Sequence, residues 1–378
     1  MTRYLDRYEV AHLDAPTAFV VDCVGDLDDS ALAAAFALLC GQHPALAGRI
    51  RHDGYGHVLD TRDGHRATFR PQWTECDGYP RDVAEDWDVR RSLSTLAVTR
   101  MSGRVRVALY LDHCVGDGKY LYALCESLWR YYGDIVTGAK LSVPPRRVPP
   151  APLAVLAERT GTSVEDPTRT APGHTPRSTL RYRRVQLTEA ETTALVTHAR
   201  AHRVSVYGLL AASVVAAQRA RTVWAVIDLR DRVDPPVGPT DTTNFASAAI
   251  VRVAGGDLIA VAREVRTRVL AAIADGDPHR NVHDNTVGRD MARARPSLAA
   301  AIVSNLGVVP DLATPPGLTI TDFRIWPYGW RHPAPMYMAS TYGGRLGVDM
   351  VFRADVHDDD TADTLASTVT ATLRMAGT

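Results

Sequence analysis

The residues best suited to chemistry stand together at positions 112–118, which read Asp-His-Cys-Val-Gly-Asp-Gly. Within this stretch His113 carries an imidazole, a group that titrates near neutrality and can take a proton from an attacking hydroxyl or amine. His113 also ends an apolar face, which would keep water away from a reaction at this histidine. A lone histidine on an apolar face is more often a buried structural residue, so its surroundings decide between the two interpretations.

The residues before His113 predict a strand that ends at this histidine. From position 104 onward, apolar side chains occupy every second position and share a face with His113, while Asp112 falls on the opposite face. Gly116 allows a sharp turn, and Asp117 stands where the N-cap of a helix belongs. The predicted helix buries one stripe, formed by Leu121, Leu124, Cys125, Leu128, Trp129 and Tyr132.

Two lobes are expected, because 378 residues are too many for one small core. The proline-rich stretch 141–178 has little periodicity and is predicted to be a crossover linker. It would separate an N-terminal lobe, residues 1–140, which carries the histidine, from a C-terminal lobe, residues 179–378.

Local signals predict mixed strands and helices in the C-terminal lobe. Thr188 and Glu191 have the spacing of a capping box and predict a helix that begins there. Three later apolar runs, 319–325, 336–341 and 346–352, are predicted to continue one sheet.

The composition excludes several classes of protein. Lys plus Arg and Asp plus Glu number 43 each, so no global charge favours nucleic acid or an anionic membrane. The five cysteines lack C-x-x-C spacing, which favours free thiols in a reducing compartment and argues against a metal site. The first residues contain no long apolar run, so we expect no signal peptide, and the sequence contains no apolar run of about 18 residues. We therefore expect a cytoplasmic protein without a membrane span.

The stretch 112–118 resembles the H-H-x-x-x-D-G motif of the condensation-domain and chloramphenicol-acetyltransferase-like superfamily. Residues 29–50 are similar to the early helix of that superfamily and the "HP-x-L-x-x-R" turn after it. Residues 228–230, followed by Asn244, resemble its D-L-R segment. Residues 304–307 resemble the S-N-x-G segment of its polyketide-associated acyltransferases. These segments occur in both halves and in the expected order, so the resemblance covers nearly the whole chain.

The resemblance implies an α+β two-layer fold, with two chloramphenicol-acetyltransferase-like lobes that meet in a V around a central tunnel. It implies an acyltransferase of specialised metabolism in which His113, the second residue of the motif, is the general base. The acyl donor would be acyl-CoA or a phosphopantetheinyl carrier protein, and the acceptor a small molecule with a hydroxyl or amine. No metal and no permanently bound cofactor are implied, and we expect a monomer.

The resemblance also assigns supporting roles around the histidine. In the superfamily the aspartate of the motif is structural and pairs with an arginine, for which Arg230 is the candidate here. This agrees with an N-cap role for Asp117. Gly118 would let the backbone approach closely.

Four further polar or aromatic residues are candidates for the site. Asn244, Ser304 and Asn305 could donate hydrogen bonds to a tetrahedral oxyanion or hold a strand in place. Trp330, in an aromatic cluster at 326–330, is a candidate for the substrate channel, although aromatic clusters more often belong to cores.

Asp112 is the departure from the motif, because a carboxylate replaces the first histidine. That first position is usually structural. Asp112 and Asp117 also match the D-x-x-x-x-D spacing of the heterocyclisation relatives, which have a serine where Tyr120 stands. Two alternatives therefore stay open: a cyclase or dehydratase of the same fold, and a recruitment module that has lost its chemistry.

Overall fold

The computed structural model describes residues 2–62, 68–73, 83, 85–161, 178–285 and 298–377. In chain order, the elements are β1 (Thr2–Tyr4), α1 (Arg7–Ala11), β2 (Pro16–Gly25), α2 (Asp29–Gln42), β3 (Arg49–His52), β4 (His57–Asp60), β5 (Thr68–Trp73), β6 (Ser94–Met101), β7 (Arg104–Asp112), α3 (Gly118–Val136), α4 (Pro152–Thr160), β8 (Leu180–Gln186), α5 (Glu189–Ala201), α6 (Val206–Gln218), β9 (Thr222–Asp228), β10 (Ala246–Arg252), α7 (Leu258–Ala274), α8 (Asp277–His283), β11 (Ala300–Val308), β12 (Leu318–Pro327), β13 (Met336–Tyr342), β14 (Arg345–Arg353) and α9 (Asp359–Met375). Within the described residues, none of the helices combines the length and apolar character that crossing a bilayer requires.

The chain forms two compact units, and neither is one continuous stretch. The first comprises Met1–Thr175, Arg230–Phe245 and Asp311–Gly329, and the second comprises Pro176–Leu229, Ala246–Pro310 and Trp330–Thr378. Two segments of the later chain therefore return to the first unit. The sequence predicts two consecutive lobes divided at 141–178, and this grouping differs from that prediction. The two returning segments join the first unit through long-range strand pairing and side-chain contacts.

A five-stranded sheet in the order β12-β2-β7-β6-β5 forms the centre of the first unit. Neighbouring strands are antiparallel except β5 and β6. The strand predicted before His113 is present as β7, and it forms a hairpin with β6 through Ser102 and Gly103. A smaller sheet, in the order β1-β4-β3, completes the unit.

Both faces of β7 are covered, whereas the alternating pattern predicts one apolar face. Arg106, on the face opposite His113, is 1% exposed and forms a two-pronged ion pair with Asp22 of β2. Its guanidinium lies 5.2 Å from the ring centroid of Trp326. The buried ion pair and the aromatic ring thus stabilise the positive charge of Arg106, which the alternating pattern predicts to face solvent.

The Asp22–Arg106 pair yields a stability prediction. Asp22→Ala leaves Arg106 buried without its main counter-ion, so the free energy of unfolding should fall by about 3–5 kcal/mol in urea titrations. The matched control is Asp29→Ala, because Asp29 pairs with Arg100 on side chains that are 37% and 25% exposed. That variant should lose no more than about 1 kcal/mol. Equal losses in the two variants would contradict the prediction.

Strand β12 is where the predicted sheet order is wrong. Residues 319–325 do form a strand, but it pairs antiparallel with β2 in the first unit and does not continue the sheet of β13 and β14. Apolar alternation reports that a segment is a strand, but it does not report which edge the strand joins.

The second unit is built on a six-stranded sheet in the order β10-β9-β11-β13-β14-β8. Strand β11 is parallel to both β9 and β13, and the other neighbours are antiparallel. The predicted capping box is present at α5, where Thr188 accepts a hydrogen bond from the Glu191 amide and the Glu191 carboxylate accepts one from the Thr188 amide. Both units combine helices with open sheets, which confirms the predicted α+β class.

The proline-rich stretch contains a helix that the prediction of a linker missed. Helix α4 begins with Pro152, whose missing N–H costs nothing in the first turn, and it ends at Gly161 with φ +70°. Residues 162–177 of the predicted linker lie outside the described residues.

Candidate active site

His113 stands at the end of β7, in the turn that leads into α3, and its side chain is half-buried. Its backbone N–H donates to the carbonyl of Ala15, 3.1 Å away. Its Nδ1 lies 2.8 Å from the carbonyl oxygen of Gly116. Because a carbonyl oxygen only accepts, Nδ1 carries the proton of the neutral ring, and the lone pair is on Nε2. Nε2 has no hydrogen-bond partner among the described residues, so this nitrogen can act as a base.

Asp117 holds the turn in place through hydrogen bonds to three other residues. As the N-cap of α3, its Oδ1 accepts from the backbone N–H of Tyr120 at 3.0 Å. Its Oδ2 accepts from Arg230 Nη1 and from the backbone N–H of Phe245, both at 2.7 Å. Asp117 and Arg230 are each 3% exposed. The structure therefore brings together the two residues that the resemblance paired, 113 positions apart in the chain.

Gly116, the residue whose carbonyl contacts His113, is closely packed between two side chains. A Cβ on Gly116 would lie 2.6 Å from Leu111 Cδ2 and 2.8 Å from Tyr120 Cδ1. A larger residue at this position would therefore displace Leu111 or Tyr120. Gly118 is the first residue of α3.

Asp112 is fully buried, and both oxygens of its carboxylate accept hydrogen bonds from other residues of the chain. Oδ2 accepts from the backbone N–H of Ala15 at 3.1 Å and from Trp87 Nε1 at 3.0 Å. Oδ1 accepts from the backbone N–H of Cys114 at 3.2 Å. Burial raises the pKa of the Asp112 carboxyl above its ordinary value, while these hydrogen bonds act to lower it. Asp112 thus fastens the turn to the strand end at Ala15.

Asn244 lies next to the histidine, but its amide is directed at the backbone. Asn244 Nδ2 donates to the carbonyl oxygen of His113 at 3.1 Å, and the residue is 1% exposed. This contact holds the main chain of the histidine, which is a different task from the oxyanion contact considered in the sequence analysis.

Ser304, Asn305 and Trp330 belong to the second unit. Ser304 and Asn305 are in β11, where Asn305 Oδ1 accepts from the backbone N–H of Gly307 at 2.9 Å. Trp330 Nε1 donates to the carbonyl of Ala334 at 3.0 Å, and its ring packs against a cluster that contains Trp224. Their roles in a reaction stay predictions.

A buried carboxylate that the sequence analysis missed lies behind the site. Glu9 of α1 is fully buried, pairs with Arg3 at 2.6 and 2.7 Å, and accepts from Thr243 Oγ1 at 2.6 Å. Glu9 also forms a capping box with Asp6, the N-cap of α1. The D-x-x-E spacing of Asp6 and Glu9 was a sequence signal for this helix.

Asp6 predicts an unusual dependence of stability on pH. Burial, reinforced by the charge of Glu9, raises the pKa of the Asp6 carboxyl to about 7. A carboxyl with a raised pKa binds its proton more tightly in the folded chain, so its contribution to stability is lost as the pH rises through about 4 to 7. Asparagine keeps the cap without this titration. Asp6→Asn should therefore raise Tm relative to the natural chain more at pH 8 than at pH 5, and an equal effect at both would contradict the assignment.

Among the described residues, no three histidine, cysteine, aspartate or glutamate side chains are placed to hold a metal ion. The four described cysteines carry free thiols, and Cys23, Cys114 and Cys125 are buried.

The fold is similar to solved structures along its whole length. The polyketide synthase associated protein 5 from Mycobacterium tuberculosis superposes with a TM-score of 0.80 at 23% identity, covering 100% of this chain and 97% of that one. A trichothecene 15-O-acetyltransferase from Fusarium sporotrichioides gives a TM-score of 0.75 at 10% identity, with 100% and 95% covered. The first condensation domain of the calcium-dependent antibiotic synthetase gives 0.73 at 17% identity, with 100% and 97% covered. The chain therefore shares its fold with a condensation domain and with an O-acetyltransferase, as the resemblance predicts.

Comparison of the sequence with known proteins also gives matches. Residues 176–351 match the family described as phthiocerol/phthiodiolone dimycocerosyl transferase C-terminus. The phthiocerol/phthiodiolone dimycocerosyl transferase of Mycobacterium bovis is 27% identical over 385 aligned positions, which cover 90% of this chain and 89% of that protein. The Mycobacterium leprae enzyme of the same name is 26% identical, with 91% and 88% covered. Both relatives are named as transferases, and the similarity extends over about nine-tenths of this chain.

Proposed function

We propose that the protein transfers an acyl group from a thioester of coenzyme A or a carrier protein to a hydroxyl or amine of a small molecule, with His113 as general base. The observation that carries the proposal is the hydrogen bond from His113 Nδ1 to Gly116, which leaves the lone pair on Nε2. The names of the relatives, an O-acetyltransferase and dimycocerosyl transferases, support acyl transfer.

One imidazole is sufficient for the proton transfers of this reaction. Nε2 removes the proton from the acceptor as its oxygen or nitrogen forms a bond to the thioester carbonyl carbon. The tetrahedral intermediate then expels the thiolate, and the imidazolium returns the proton to that sulfur. The products are an ester or amide and a free thiol, and His113 is neutral again.

The state of Asp112 argues against the cyclase or dehydratase alternative. A reacting acid or base must reach the substrate, but the Asp112 carboxylate is fully buried and accepts three hydrogen bonds from Ala15, Trp87 and Cys114. The recruitment-module alternative is separated from acyl transfer by the assay described next, because binding without product would favour it. A cytoplasmic location, a monomeric state and a carrier-protein partner stay predictions.

The test is thiol release that depends on an acceptor. Purified protein is incubated with a panel of acyl-CoA thioesters, and with the same acyl groups on a phosphopantetheinyl carrier protein, in the presence and absence of alcohols and amines. Acceptor-dependent thiol release, with an equal amount of ester or amide by mass spectrometry, is the expected result. Binding of acyl thioesters without any product across both panels would overturn the proposal.

A further inference from the structure

A second imidazole stands beside the proposed general base. His12 caps the C-terminal end of α1, and its ring centroid lies 5.1 Å from that of His113, with the ring planes at 82°. One ring therefore presents its edge to the face of the other, a favoured arrangement for aromatic pairs. His12 Nδ1 lies 2.8 Å from the carbonyl oxygen of Tyr8, and the Tyr8 ring packs against His12 at 4.7 Å.

The segment that carries His12 is fastened to the turn of His113 at two points. Both bonds pass through Ala15: its carbonyl accepts from the backbone N–H of His113, and its N–H donates to the Asp112 carboxylate. Only Leu13 and Asp14 separate Ala15 from His12. The two imidazoles therefore sit on backbone segments that are bonded to each other.

Glu9 connects this segment to the residue that holds the carbonyl of His113. Its carboxylate caps α1 at one end of the short helix and accepts from Thr243 Oγ1. The next residue, Asn244, donates to the His113 carbonyl. The Glu9 carboxylate thus connects two chain segments. One is α1, which ends at His12, and the other contains Asn244, which holds the backbone of His113.

We propose that His12 is a positioning residue for His113, a role that rests on the proposed function. The His113 ring makes one hydrogen bond, from Nδ1 to the Gly116 carbonyl. The perpendicular His12 ring, with its centroid 5.1 Å away, provides a second point of contact and so helps to fix the direction of the Nε2 lone pair. Because proton transfer requires a defined geometry, this restriction acts on the rate of the chemical step more than on substrate affinity.

Kinetics of two His12 variants test the role. His12→Ala removes the aromatic contact and should lower kcat by about three- to tenfold with KM within twofold, the loss expected for one aromatic pair. His12→Phe retains a ring of similar position and should keep kcat within about twofold of the natural protein. The matched control is His52→Ala, because His52 and His57 form a pair with the same 5.1 Å separation and a 78° angle on the β3–β4 hairpin. That variant should match the natural protein.

A spectroscopic measurement separates this proposal from the proposed function. With ¹³C-labelled histidine, the Cε1–H resonance of His113 is assigned by its loss in His113→Asn. It should shift or broaden in His12→Ala and stay in place in His12→Phe and His52→Ala. This result would support the positioning role even if the natural protein released no thiol. An unchanged His113 resonance in His12→Ala, or an equal loss of kcat in His12→Ala and His12→Phe, would overturn it.

Discussion

Replacing His113 with alanine is expected to lower kcat for acyl transfer about 10²- to 10⁴-fold, the contribution typical of a positioned general base. The acceptor then has to lose its proton to water, because alanine offers no basic nitrogen at this position. The measurement is the rate of acceptor-dependent thiol release at saturating acyl thioester, with the variant's Tm recorded beside it.

A second substitution distinguishes loss of the base from loss of the turn. His113→Asn places an amide where Nδ1 now donates to the Gly116 carbonyl, so the turn keeps a hydrogen bond, but no basic nitrogen replaces Nε2. Both variants should therefore be impaired to a similar extent, and added imidazole should restore part of the activity of His113→Ala. Activity within tenfold of the natural protein in either variant would exclude His113 as the base.

Breaking the Asp117–Arg230 pair is the second change with a large expected effect. Asp117→Ala removes the acceptor for three hydrogen bonds and leaves the Arg230 guanidinium buried without its counter-ion. The free energy of unfolding should fall by about 3–5 kcal/mol, read from urea titrations. Activity should fall as well, because the N-terminus of α3 and the Phe245 amide lose the group that holds them beside His113.

A double-mutant cycle shows whether the loss comes from the pair. Asp117→Asn keeps a capping oxygen but removes the charge, and Arg230→Met removes the other charge at similar volume. The double variant should lose markedly less stability than the sum of the two single losses, since neither charge is then left alone. Strictly additive losses would show that the two side chains act independently.

Local chemistry was sufficient to predict the strand, turn and helix around His113. The signals for these elements are the alternation of apolar residues, a glycine and a capping aspartate. Each of them acts within a few residues, so it can be recognised directly in the sequence. The same holds for the Thr188 capping box. The partner of Asp117 came from the resemblance alone, because no local rule connects residue 117 with residue 230.

Contacts between distant segments account for what the sequence did not reveal. Alternation placed Asp112 on the face away from His113, but the partners that fill that face, Ala15 and Trp87, are 97 and 25 residues away. Helix α1 has five residues, too few for an apolar period to be recognised, and only its capping box marked it. For the same reason His12 carried no signal of its own, since its importance depends entirely on where α1 lies.

The pairing of β2 with β12 has a consequence for how the chain is made. Strand β2 ends at Gly25, whereas its partner on one side spans Leu318–Pro327, so about 300 residues of chain must be synthesised between them. Until that strand emerges from the ribosome, the central sheet of the first unit presents an unpaired, apolar edge. Such a high contact order favours slow, late completion of the unit. A fragment that ends before residue 318 would keep this edge open, and we expect it to aggregate when expressed alone.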